Sequence, residues 1–519
     1  MGRQPIEQRI KRVFTDAAFG KEIDFRARWD KIREDLPEEA AILENDLGEE
    51  MPVATLDDVP HDVAVNYSAR DADATLRVFP ILSHQIDVMG LRDVYRMDIA
   101  VLPMVARMMQ VGMLIDTGHF ETLGGFLSDM MRLKVEELNA ITKGKSGLDF
   151  NPNSTKQTSE LLFGDSGVGA TSRKKTKTGK DSTNNKVLEA ISFKFPAARI
   201  ICDYRELAKL RDSFCVTLPK FMDATGRIHP NIKPTRVASG RFACNDPNLL
   251  AIPVRTDLGK LIRQGFIAGI GRVLGSWDLD QIEMREMAHQ SEDETMCRIF
   301  REGKVDIHRQ TAAWMFGKDP RDVTSIERYA GKRIGFGVIT GITEVGLEEQ
   351  MALAGAEGWD QTRCAQAIKE WFRIYSGVKS YIADCRAEAR RYSYVRDRWG
   401  RIRYLPGVHS ELAWVREEAL RQSHSHKISA SAQGIMKHAM AAIWKWWKED
   451  RIVGYRDEIG KIEPLLQIHD ELVIELDGDK DSIVYVDAGM VYFLCNTTQL
   501  RVPIKAKGST AHDWGSLKY

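Results

Sequence analysis

The sequence predicts an α+β protein in which long helices outnumber a few strands, and three observations predict it. Apolar residues recur at helical spacing over residues 98–112, 120–141 and most of 306–421. Strand-like text appears at residues 272–279. The last sixty residues return to strands, with LLQIHDELVIELDGD (465–479) reading as a hairpin.

Length and composition bound the rest. At roughly 150 residues per domain, 519 residues make three or four lobes. Hydrophobic residues at 43% and charged residues at 29% match a folded soluble protein rather than a disordered one. Lys plus Arg (74) cancel Asp plus Glu (74), so any nucleic-acid surface must be local. Seven scattered cysteines without a CxxC pair argue against a zinc ribbon or a disulfide framework and for a reducing cytosol. The first thirty residues hold no apolar signal core, and residues 99–115 are interrupted by Arg107 and Gln110. That segment reads as a buried helix, and no membrane partner is expected.

In chain order, residues 1–95 are helical in pattern with loop punctuation at 51–60. Two long helices follow, then the basic loop SRKKTKTGKDSTNNK (172–186), which is either solvated and mobile or a contact to a phosphate backbone. A helix around 204–213 leads to a Gly-, Pro- and Asn-punctuated region at 226–253. The 272–279 strand precedes a helix starting at Gln281. The helical stretch from 306 is broken near 355–360 and by RDRWGRIRYLPG (396–407).

Two acid sites sit at strand ends. Asp278 and Asp280 lie two apart, hence on one face of a strand. In LLQIHDELVIE the even positions Leu466, Ile468, Leu472 and Ile474 are apolar, so Asp470 falls on the apolar face unless the chain turns at His469 and Asp470. Buried unpaired carboxylates are costly. Either the turn exposes them or a cation neutralises them, and two such sites fit a pair of Mg²⁺ ions about 4 Å apart for phosphoryl displacement. In RYAGKRIGFGVITG, Arg328, Lys332 and Phe336 recur every four residues on one helical face. A basic solvated face would look the same, but repelling cations at this spacing also suit a triphosphate. Gly331, Gly335 and Gly337 each weaken this helix by up to ~1 kcal/mol. Something outside it must stabilise it, and a mobile element closing on its ligand would fit.

Taken in order, DLDQIEMREMAHQSED, RYAGKRIGFGVITG and QIHDELVIE resemble motifs A, B and C of family A DNA polymerases, the polymerase I group and its phage relatives. The likeness runs from about Asp98 to the C-terminus. FNPNSTKQTSELLF, KKTKTGKDSTNNKVLEAI and YRELAKLRDSF resemble the family's thumb, and GRIHPNIKPTRVASGRFACNDPNLLAIPVRTDLGKLIRQGFIA resembles the start of its palm. It implies a right-hand polymerase with an antiparallel palm sheet and mainly helical fingers and thumb. The expected divisions are a 3′–5′ exonuclease remnant at 1–95, thumb at 96–235, palm at 236–305, fingers at 306–425 and the rest of the palm at 426–519.

The resemblance also implies residue roles. Asp278 and Asp470 would hold two Mg²⁺ ions, with Mn²⁺ able to substitute, and Glu471 would assist. Arg328, Lys332, Phe336, Glu283 and Thr340 would form the dNTP site: the cations bind the triphosphate, Phe336 packs on sugar and base, and Glu283 fills the space of a ribose 2′-hydroxyl. Phenylalanine at 336 implies discrimination against dideoxynucleotides. Primer-template DNA would meet Arg241, Asn248, Arg255, Arg421, His469 and the loop lysines Lys174, Lys175 and Lys177.

Departures from the family pattern accompany it. Thr340 stands where a tyrosine is usual, Asp280 adds a third carboxylate near the metals, and Leu250 and Ala251 replace a Gln-Asn pair. Ser425 and Ser429 occupy two places where polar DNA-binding side chains are usual, and Gln433 fits only with a shift. His424 and His426 read as ordinary surface residues. Tyr67 and Asp71 match the last exonuclease motif, with no DxE before them. The expectations are therefore a DNA-templated DNA polymerase without proofreading in this chain, with a separate exonuclease or accessory replication protein as a possible partner. The architecture points to a phage or mobile-element replicase in the cytoplasm of a bacterial host. The alternatives are a single-subunit RNA polymerase, disfavoured by Glu283 and Phe336, and a catalytically weak DNA-binding subunit that needs a partner chain.

Overall fold

The computed structural model describes residues 61–171, 175–176, 179, 181–192, 194–253, 256–353, 356, 358–452 and 462–517. The chain divides into two compact units, Met1–Arg92 and Asp93–Tyr519. In the first, the described residues 61–92 hold the helix His61–Val88 and the turn after it, with Tyr67 and Asp71 on exposed positions.

The second unit opens inside the helix Arg92–Val111, from Asp93 on, and Thr117–Ile141 follows. The former buries Val101, Met104, Val105 and Met108, a 3–4 spacing that seals one face. It stops at Gly112, whose φ of +66° suits glycine and whose absent Cβ would stand 2.7 Å from the Ile228 carbonyl oxygen. Asp116 then caps the next helix by accepting from the His119 N–H at 3.0 Å. Ser154 and Asn184 cap the short helices Thr155–Phe163 and Asn185–Ile191. Those pack with Pro196–Leu210 around Leu138, Leu162, Leu188 and Ile201. No helix of the described residues is long and apolar enough to cross a membrane.

The largest sheet has four antiparallel strands in the order Ala506–Ala511, Arg272–Leu279, Glu471–Asp477, Glu463–Ile468. Of the two middle strands, Glu471–Asp477 is buried at every position but the last, which explains its consecutive apolar Leu472, Val473 and Ile474, and Arg272–Leu279 is buried over its middle. Trp277 is fully buried here and donates to Asp487 at 2.8 Å. The 40-residue helix Ala413–Ile452 adds Ile435, Met436, Ala439 and Ile443 to the same core.

One expectation for the C-terminal sixty residues is corrected. Lys480–Asn496 is a helix, not strand. Its Val, Tyr and Phe content reads as strand, but Val486, Met490 and Leu494 fall four apart and are fully buried against the sheet. At about 1.5–3 kcal/mol for each buried side chain, that stripe outweighs local propensity.

The third region is helical: Ile282–Ser291, Glu294–Glu302, Ile307–Phe316, Ser325–Thr340, Glu344–Leu353, Gln361–Ile374 and Ser376–Tyr392. Met287, Ile334, Val338, Trp371 and Tyr375 form its core. The turn-rich 396–407 segment makes a small hairpin, Tyr394–Arg396 with Ile402–Tyr404.

Candidate active site

Asp278 ends the central strand, in register with Glu471 on one side and Lys507 on the other. The strands Glu463–Ile468 and Glu471–Asp477 are joined by a two-residue turn at His469 and Asp470, with His469 at φ +56°. The reversal solves the pattern problem posed by Asp470: the acid leaves the apolar face because the chain folds back there. The Asp470 carbonyl accepts from the Leu279 N–H at 3.0 Å, which ties the turn to the end of the Asp278 strand. The Gln467 side-chain amide donates to the His469 carbonyl and braces the turn.

Burial, then the charges of Asp470, Glu471 and Asp280, push the Asp278 carboxyl up to about 8. Burial also pushes Asp470 up to about 6. Their positive neighbours, Lys507 and Arg241, do not offset this. Glu471 is buried and accepts from Ser276 Oγ at 2.6 Å, so it is held within the sheet. Asp280 is not a free third acid: Arg285, itself buried, donates to it at 2.7 Å and also grips its backbone carbonyl.

Among the described residues, no group of three or more His, Cys, Asp or Glu side chains is arranged to hold a metal ion alone. Mg²⁺, however, is commonly bound through one or two carboxylates, with phosphate oxygens and water completing the shell. Asp278 and Asp470, half-buried and short of positive charge, fit a cation completed by a phosphorylated ligand.

Arg328, Lys332 and Phe336 lie on the Ser325–Thr340 helix as the spacing predicts. A capping box between Thr324 and Glu327 starts it. The glycines are explained by close packing: a Cβ on Gly331 would stand 2.6 Å from the His308 carbonyl oxygen, and one on Gly337 would stand 2.7 Å from Ile342. The stabilisation required from outside thus comes from contact with Ile307–Phe316. Arg328 donates to Asp306 at 3.0 Å; burial raises this acid, but bonds from the Arg309 N–H and Arg328 hold it below the usual carboxylate range. The His308 ring lies 5.5 Å from that of Phe336, and burial pushes His308 down to about 4. It is a neutral wall. Thr340 donates back to the Gly337 carbonyl at 3.0 Å, at the end of the helix.

Glu283 lies in the first turn of Ile282–Ser291, which starts from a left-handed Gln281. Arg241 Nη2 and Ser429 Oγ both donate to its Oε1, at 2.7 and 2.8 Å. The expected DNA contact Arg241 is therefore engaged with an expected sugar gate. Arg421 pairs with Glu418, and its stem lies against Gly341. Asn248 is exposed before a short 3₁₀ turn, and His469 is exposed at the hairpin tip. Lys175 pairs with Asp181 at 2.6 Å. Lys174, Lys177 and Arg255 lie outside the described residues.

The histidine pair is corrected. His424 and His426 are buried, 1% and 7% exposed, because Ala413–Ile452 is enclosed along this stretch. Burial pushes both down to about 4. Sequence reasoning also missed Lys507, His308, Asp306 and the role of Ser429 as a partner of Glu283. Only their tertiary neighbours reveal them.

Comparison with known proteins joins these features. The model of DNA polymerase family A matches residues 125–516. A thermostable DNA polymerase I from Thermus thermophilus is 36% identical over 415 residues, 80% of this chain and 47% of the relative. DNA polymerase I from Pseudomonas aeruginosa is 33% identical over 465 residues, 89% and 48% of the two chains. The chain thus spans about half the length of the curated relatives it matches. The solved POL domain of Pol1 from M. smegmatis, in complex with DNA primer-template and dNTP, superposes with a TM-score of 0.77 at 28% identity, covering 90% of this chain and 80% of that one. The α+β architecture is that of a polymerase domain. With the acid-bearing hairpin, the Arg-Lys-Phe helix and a family match over most of its length, the chain belongs to DNA polymerase family A.

Proposed function

We propose that this chain is a DNA-templated DNA polymerase that adds dNTPs to a primer 3′-hydroxyl, in a right hand divided as thumb 96–235, palm 236–305 and 426–519, and fingers 306–425. The observation that carries it is the meeting of Asp278, near the end of the central strand, with Asp470 in the hairpin turn beside it, where partial burial leaves both acids in need of positive charge. Two Mg²⁺ ions held there, with Mn²⁺ as a substitute, would supply charge neutralisation for in-line phosphoryl transfer.

The protein groups do the rest. Glu471, fixed by Ser276, sustains the negative field beside Asp278. Arg328 and Lys332 bind the triphosphate as a charge-assisted pair. Phe336, backed by a neutral His308, offers an apolar face to the sugar and base. Glu283 crowds the 2′ position, which favours deoxyribonucleotides over the ribonucleotides of an RNA polymerase. Thr340 lies where the helix ends, beside the templating position. Arg241, Asn248, Arg255, Arg421, His469 and the loop lysines Lys174, Lys175 and Lys177 contact primer-template DNA.

The reading includes synthesis without proofreading by these residues alone. Tyr67 and Asp71 sit exposed on one helix and no DxE precedes them in this sequence, so one nuclease acid stands without the others. A separate exonuclease is the partner that would complete such a site.

The test is primer extension with Mg²⁺ on a primed template, with dNTPs against rNTPs and wild type against Asp470→Ala. Extension by dNTPs that the variant loses supports the reading. Tight primer-template binding without extension would instead fit a DNA-binding subunit.

A further inference from the structure

A cavity of about 910 Å³ opens on the helical region, and none of its lining residues belongs to the candidate active site. It is bounded by the C-terminal end of Ile307–Phe316, by Trp359, by Gln361–Ile374 and by the first turn of Ser376–Tyr392. Its charge is lopsided. Arg363, Lys369, Arg373 and Lys379 stand against one acid, Glu370, whose two oxygens already accept from Arg373 at 2.8 and 2.9 Å. Four cations against one acid is a local excess in a chain whose formal net charge is zero. The other walls are largely aromatic. Trp359 is 7% exposed and backs the wall, meeting Phe316 edge-on at 5.9 Å, while the exposed Arg363 guanidinium, 4.6 Å over its indole, and the half-buried rings of Phe316 and Phe372 face the groove.

Cations around a concave aromatic wall recognise a strand whose bases are unpaired, because phosphates meet the cations while base faces stack on rings and guanidinium planes. A duplex hides those faces, and an acidic peptide would leave the aromatic walls without planar partners. Arg363 and Arg373 are ten residues apart on one helix, about 15 Å of rise, a span for a few nucleotides. The same helix that supports Phe336 leads to the groove: His308 packs on Phe336, and Phe316 lines the groove about 12 Å further along.

We propose that this groove binds single-stranded DNA, namely the unpaired template strand outside the primer duplex. The assignment of template rests on the polymerase reading above. The groove gives the strand a second hold, independent of the acids and of the triphosphate-binding face.

The test uses the full chain and the double variant Lys369→Glu, Lys379→Glu, which changes two exposed side chains and whose unchanged melting temperature reports an intact fold. Affinity is measured by fluorescence anisotropy on primer-templates sharing one duplex, with 5′ template overhangs of about one and about twelve nucleotides, the first below and the second within the roughly 4–16 nucleotides of known single-strand sites. The wild type should bind the long overhang more tightly. The variant should lose about tenfold of that gain and about 1.4 from the salt slope, at about 0.7 per lost phosphate contact. Affinity for the short overhang and the rate of single-nucleotide addition should stay within about twofold. An equal gain from the overhang in both proteins overturns the proposal. So does charge-dependent binding of a polyglutamate peptide with no effect of overhang, which would make the occupant an acidic protein segment. If neither primer-template binds nor extends, the polymerase reading is what fails, and titration with oligothymidylate decides the groove separately: binding lost in the variant keeps a single-strand site, and no binding removes it.

Discussion

Ser429 Oγ donates to Glu283 Oε1 at 2.8 Å, joining two helices through residues 146 positions apart. Arg241 reaches the same oxygen at 2.7 Å. A carboxylate gripped by two donors keeps one rotamer, so its bulk stands at a fixed place. Ser429→Ala removes one donor, worth about 1.5–3 kcal/mol when the acceptor is charged. The expected outcome is about a tenfold fall in the dNTP over rNTP ratio of kcat/KM, with dNTP incorporation itself little changed. Glu283→Ala should lower that ratio further, and an unchanged ratio in Glu283→Ala would remove the gate role altogether.

The glycines of Ser325–Thr340 separate by their surroundings. Gly331→Ala forces a methyl to 2.6 Å from the His308 carbonyl oxygen, a rigid neighbour. Overpacking of this kind costs about 1–3 kcal/mol, against a helix-propensity gain of at most about 1 kcal/mol. Gly335→Ala meets only the flexible end of Met284 at 3.5 Å. Denaturant unfolding should show Gly331→Ala destabilised and Gly335→Ala neutral or stabilised.

His424 and His426 make stability pH-dependent. Burial is the main cause that holds each near pKa 4 in the folded chain, against about 6.5 when unfolded. Between those values the unfolded state binds more protons, so stability rises with pH and is complete above about 6.5. Acidification from pH 7 to 5 should therefore cost up to about 2 kcal/mol of stability per histidine in that interval at 1.36 kcal/mol per unit, against the opposite contribution of Asp278 and Asp470, whose raised values favour the folded chain as the pH falls. Thermal melts across this range test it. His424→Leu, at a ring without a well-formed hydrogen bond among the described residues, should flatten the slope.

Lys332→Ala should raise the KM for dNTP at least about tenfold, the loss of one charge-assisted contact of roughly 1.5–3 kcal/mol, and leave primer-template affinity unchanged. Steady-state kinetics and a separate binding titration distinguish the two effects.

What could be read in the sequence follows from what local pattern encodes. Asp278 and Asp470 stand out because each falls where an apolar strand run ends, and Arg328, Lys332 and Phe336 because their four-residue spacing is local. Ser429, Lys507 and His308 do not stand out, since their partners Glu283, Asp278 and Phe336 lie 28 to 229 positions away and only the fold joins them. The helix Lys480–Asn496 was hidden by β-branched and aromatic residues whose buried stripe only the sheet explains. His424 and His426 looked exposed because polar neighbours in HSHK give no sign that the helix is surrounded.

The central claim is that Asp278 and Asp470 together make a phosphoryl-transfer centre. Single-turnover addition of one dNTP to a bound primer-template, in wild type, Asp278→Asn and Asp470→Asn, tests it most directly. The account predicts that each variant still binds primer-template within about twofold while its rate falls by roughly 1,000-fold, the scale of lost electrostatic stabilisation in a transition state. Rates within about tenfold of wild type in both variants would contradict it.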